Sequence, residues 1–180
     1  MTRIALVFAG LLAVSSSVFA QTPDTDTPLL ALPANLREAA TVIKWKKDYT
    51  YDTLKKGTNT LVCYDRSGFP LQQPFSIECT DLANLERAAQ NLKYEALGDR
   101  AKANAAFDEL EKAGTRAKPK FGSVWYHLNG KDKDSARPHM TIAVPMATTA
   151  SMGLPDNNKS GGVWIMNAGT STAHLMVPGE

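Results

Sequence analysis

The chain has two cysteines, Cys63 and Cys79, at the two ends of the stretch CYDRSGFPLQQPFSIEC. What they do limits the fold more than any other pair of residues. Three chemistries are open to such a pair: a cross-link, half of a metal site, or a reactive thiol couple. No further Cys or His stands at metal-site spacing from either, which makes a poor zinc site. The start of the chain bears on the choice. MTRIALVFAGLLAVSSSVFA has one early positive charge at Arg3, an apolar run from Ile4 to Val14, and small residues at Val18 and Ala20 before Gln21. This is the pattern of a secretory signal peptide over residues 1–20. Exported chains live where disulfides persist, so a Cys63–Cys79 disulfide is expected. Closing a loop of this size stabilises a fold by about 3 kcal/mol on the loop-entropy account. It also removes both thiols as nucleophiles.

The apolar run is shorter than the roughly 20 residues a bilayer span requires, and no later stretch is longer or more apolar. No transmembrane segment is therefore expected in the mature chain. No cysteine follows the expected cut, so no lipid anchor is expected either. The predicted location is exported, periplasmic or secreted, with the mature chain soluble. Removing residues 1–20 takes away one arginine, and the formal charge falls from +2 to +1. A near-neutral chain lacks the concentrated basic surface that nucleic acid or anionic membrane would need. The lysines of IKWKK and LKKG, with Trp45, Tyr49 and Tyr51 among them, read as a solvated, lysine-protected strand surface.

Periodicity divides the chain. Residues 21–33, with three prolines, read as a flexible N-terminal arm, and ANLREAA predicts a short helix after Pro33. TVIKWKKDYTYDTLKKGTNTLVCYD is rich in β-branched and aromatic residues and predicts two or three antiparallel strands. RSGFPLQQP is a loop, and FSIEC a strand that returns Cys79 to Cys63 across a sheet edge. Asp81 then offers a helix start. Leu82, Leu85, Ala89, Leu92 and Ala96 draw an apolar stripe, Gly98-Asp99 breaks it, and Ala103, Phe107 and Leu110 resume it up to Gly114. Strands return in GSVWYHL, PHMTIAV, GVWIM and AHLMV. The predicted fold is one α+β domain over residues 34–180, with antiparallel strands before and after a central helical hairpin and one disulfide.

There is no glycine-rich dinucleotide fingerprint, no phosphate loop, no Gly-x-Ser-x-Gly and no His-Glu-x-x-His. The three histidines stand out instead. With Val124, Tyr126 and Leu128 as the apolar set of one strand, Trp125 and His127 face the other way. The same parity sets His139 with Thr141 and His174 with Met176, opposite the apolar positions predicted to face the core. His127, His139 and His174 are thus candidate ligands for zinc or copper on an outer sheet face, thioethers favouring copper(I). Trp125, Trp164, Met166 and Met176 are candidates to line a groove for a small molecule, peptide or protein. A weaker pattern, Gly169-Thr170-Ser171-Thr172 before His174 with Asp156 or Asp65 as a third member, would suit a small hydrolase. As a hairpin turn it needs no such role. Asp65, Glu78 and Asp81 come near one another through the disulfide, which does not by itself pair them for acid–base work.

The segments LPANLREAATVIKW, LVCYDRSG, FGSVWYH, TIAVP and WIMNAGTSTAH resemble a family of exported, signal-peptide-bearing bacterial proteins of uncharacterised activity. The resemblance implies a periplasmic or secreted location and carries no catalytic residue. The expected function is non-catalytic binding or interaction, with metal binding through the histidine cluster and hydrolysis as the alternatives.

Overall fold

A computed structural model of the chain describes residues 23–177; the expected signal peptide lies outside the described residues. Eight strands form one sheet: β1 Thr41–Trp45, β2 Tyr51–Lys55, β3 Leu61–Asp65, β4 Phe75–Asp81, β5 Val124–Gly130, β6 Arg137–Ala143, β7 Trp164–Met166 and β8 His174–Val177. Their order is β2-β1-β3-β4-β5-β6-β8-β7. Four short helices accompany them: α1 Ala34–Arg37, α2 Leu85–Glu95, α3 Arg100–Lys112 and α4 Thr149–Met152.

The expected architecture, two antiparallel groups separated by a central helical hairpin, is corrected by this sheet. β4 pairs directly with β5 across the helical excursion, from Phe75 opposite Gly130 to Cys79 opposite Tyr126. The strands before and after the helices therefore belong to one layer. The sheet is also mixed, because β1 and β3 run parallel. A pattern of apolar residues and turn signals does not distinguish a hairpin return from a crossing. Here the connection after β2 crosses the end of β1, where Thr58 N and Asn59 N donate to the Ala39 carbonyl and Gly57 N donates to Thr41 Oγ1. The passage is so close that a side chain at Gly57 would strike the backbone of Ala39 and Ala40.

Alternation gives the sheet two covered faces. On one, Val42, Cys63 and Cys79 pack with Leu29 and Leu32, and Tyr126 is half-buried against them. The stretch expected to be a flexible arm thus carries a 3-10 turn at Thr27–Ala31, with Leu29 and Leu32 buried. Its leucines have this apolar face to cover, whereas its prolines alone read as linker. Cys63 and Cys79 stand directly opposite each other and are bonded. They join two interior strands rather than a sheet edge.

On the other face Ile43, Trp45, Val62, Tyr64 and Trp125 pack with Leu85, Ala88 and Leu92 of α2. α3 buries only Ala103 and meets α2 through Tyr94 and Phe107, whose rings lie edge to face at 5.8 Å. Asp99 caps α3 by accepting from Ala101 N and Lys102 N. Among the described residues no helix is long and apolar enough to cross a membrane. Gly57→Ala is expected to lower stability by about 1–3 kcal/mol, since neither backbone segment has room to move. Urea unfolding should show a lower midpoint at an unchanged slope.

Candidate functional site

Register sets a row of polar side chains across four strands of the helix-covered face. Tyr64 stands opposite Glu78, Glu78 opposite His127, and His127 opposite His139. Cross-strand neighbours on one face are close enough to bond. The Glu78 carboxylate is buried, and it accepts from the Tyr64 hydroxyl and from Arg66 Nη1 at 2.6 Å. His127 Nδ1 lies 3.4 Å from Glu78 Oε2. Arg66, also buried, donates a second time to Glu95 on α2, which Gln72 Nε2 holds at 2.9 Å. Burial alone would raise the Glu78 carboxyl, but Arg66, with His127 and Tyr64, holds it well below the usual carboxylate range. Glu95 goes the other way: its burial outweighs the attraction of Arg66 and pushes its carboxyl up. Burial and the neighbouring Glu78 push the Tyr64 hydroxyl well up, so it stays a donor.

Beyond this row the sheet and the two longer helices line an open cavity of about 510 Å³. Its sheet side includes Trp125, His127, His139, Met166, His174 and Met176. All three histidines therefore share one space, together with three of the four residues expected to bind a ligand. Trp164 stands opposite Met176 in register but does not line the cavity. The expectation of an outer face is corrected: these side chains lie on the face that α2 covers. Strand parity shows which residues share a side, whereas which side is interior depends on what packs there, and both sides of β5 are packed.

The helix side is basic. Arg87, Asn91 and Glu95 come from α2, Arg100 and Phe107 from α3, and Arg116 from the segment after it. Sequence reasoning missed them. The signal was present: Arg87, Asn91 and Glu95 recur at four-residue spacing beside the Leu85–Ala88–Leu92 stripe, which widens the inward face of α2 with polar residues. Burial lowers the Arg87 guanidinium, and burial together with the charge of Arg87 brings Arg116 down to about 10. Both remain cationic at neutral pH.

The His127 and His139 rings are stacked with centroids 5.9 Å apart. His174 Nδ1 is 2.7 Å from the Thr172 carbonyl, which can only accept, so that nitrogen carries the proton. Burial first, then neighbouring imidazoles, lowers His139; His174 is lowered by burial and by His127 and Arg87, against the Thr172 carbonyl. Among the described residues no three His, Cys, Asp or Glu side chains are grouped to hold a metal ion. The hydrolytic arrangement is not assembled, because the Ser171 hydroxyl donates to Glu111 on α3 rather than to His174. Asp65 accepts from Ser67 N. No family model, curated protein or solved structure matches this chain.

Glu78→Gln is expected to cost about 3–5 kcal/mol at neutral pH, since it leaves Arg66 buried with one carboxylate partner. The contribution of Glu78 is present above the unfolded value of about 4.5 and is lost as pH falls through the depressed folded value. The gap between parent and variant in urea unfolding should therefore begin to narrow below about pH 4.5 and go on narrowing towards the depressed folded value.

Proposed function

We propose that the chain is an exported, soluble, non-catalytic binding domain, and that its ligand enters the cavity between α2, α3 and strands β5 to β8. The open, concave space of about 510 Å³ carries this reading. Ligand sites are commonly concave spaces of about 300–1,000 Å³ that combine apolar walls with a few fixed polar groups. Trp125, Met166 and Met176 supply the apolar wall, and the histidines and arginines the polar one. The Ser171 hydroxyl is held by Glu111 and not by His174, which supports binding over a hydrolase built on Ser171 and His174. The Cys63–Cys79 bond supports an exported location, as disulfides are rare in reducing compartments. A small molecule or short peptide suits a concavity of this size better than a folded partner does.

A thermal-shift screen of small molecules and short peptides against the disulfide-bonded chain tests the reading. A true ligand at about 100 times its Kd should add about 2.7 kcal/mol of stability. Met176→Trp, which fills the cavity from β8, should abolish the shift while leaving the circular dichroism spectrum unchanged. Hits that bind Met176→Trp as well as they bind the parent would place the ligand elsewhere.

A further inference from the structure

We propose that the ligand of this cavity is an organic oxyanion, a carboxylate or phosphate ester, whose charged head is held by Arg87 and Arg116 and whose apolar body lies against Trp125, Met166 and Met176. This rests on the reading of the cavity as a ligand site and adds the charge of its occupant.

The three buried arginines of this region are treated differently. Arg66, 6% exposed, is matched by two carboxylates, Glu78 and Glu95. Arg87 and Arg116, each 5% exposed, have no carboxylate within ion-pair distance among the described residues. Every protein acceptor they do have is neutral. Arg87 Nη1 donates to the Ala117 carbonyl at 2.6 Å, Arg116 Nη1 to Gln90 Oε1 at 3.1 Å, and Arg116 Nη2 to Asn91 Oδ1. Glu95 is bound to Arg66 and Gln72, and Glu111 accepts from Ser171; Glu111 attracts both guanidiniums, and Glu95 attracts Arg116, only from beyond ion-pair distance.

These contacts orient the guanidiniums without neutralising them. The Arg116 carbon centre sits 4.2 Å from the centroid of Phe107, so the ring supports one face of the fork. Arg116 Nε is buried with no partner at all. A guanidinium offers five N–H donors in a rigid fork, of which Arg116 uses two and Arg87 one. Carboxylate and phosphate oxygens match that fork and would supply the counter-charge that burial demands. Burial and the charge of Arg87 bring the Arg116 guanidinium down to about 10 against the more distant pull of Glu111 and Glu95, as for a buried cation with no anion in contact. Arg100 at the rim, its side chain 57% exposed, adds attraction for an approaching anion. The same charges oppose a metal cation in this space, although three imidazoles line it.

The test compares 3-phenylpropionate, phenyl phosphate and the uncharged 3-phenylpropanamide by titration calorimetry against the disulfide-bonded chain. The expected result is at least about tenfold tighter binding of one oxyanion than of the amide, weakening as salt is raised. Arg87→Met and Arg116→Met should remove that preference, lowering the oxyanion affinity by more than the amide affinity. The parent comparison needs no variant, so it stands even where a variant fails to fold. Equal affinity for amide and carboxylate, blocked by Met176→Trp, overturns the anion assignment alone. Probes that bind despite Met176→Trp overturn the cavity reading beneath it. No oxyanion binding at millimolar concentration also overturns the assignment.

Discussion

The Glu78 carboxylate sits where water does not reach, and the arrangement around it depends on neutralising it. A buried carboxylate is tolerated only when a cation and further donors surround it. Arg66 arrives from the end of β3, Tyr64 from its middle, and His127 from β5. Arg66 in turn requires a second carboxylate, and Glu95 supplies it from the last residue of α2. One ionic chain thus crosses three strands and fastens the end of a helix over the sheet. The apolar contacts of Leu85, Ala88 and Leu92 set how close α2 lies, and the ionic chain fixes where its end comes to rest.

That placement creates the cavity. α2 rests on β1, β3 and the start of β5, and the space is left where the sheet continues into β6, β8 and β7. A smaller apolar cluster of Val144, Ile165 and Ala173 lies at this end of the sheet, with Ile165 opposite Leu175 on the side away from His174 and Met176. The uncovered part of the face is the part that holds the histidines and thioethers. The roof above it is built from the polar edge of α2 and from the Arg116 segment. The cavity therefore has an apolar and imidazole floor under a cationic ceiling.

How far this was legible in the sequence varied with the physical rule involved. Local rules carried well: the cysteine spacing placed Cys63 opposite Cys79, and Asp99 capped the helix that Gly98-Asp99 announced. The two-residue alternation placed His127, His139 and His174 on one side. It did not say which side was interior, because both faces of the sheet bury apolar residues. The parallel β1–β3 pair was illegible for a related reason: it depends on a crossing at Gly57 that leaves no periodic trace. Arg87 and Arg116 were not singled out, since burial of a long cationic side chain is decided by the packing around it.

The disulfide has one more consequence. A covalent bond survives denaturation, and Tyr64, Arg66 and Glu78 all lie inside the loop it closes. The oxidised chain, once unfolded, remains a compact ring at the place where the native ionic chain is seeded, with its ends joined and most of its partners a few residues apart. Part of the search for native contacts is thereby removed, and denaturant has less new surface to expose than the length of the chain implies.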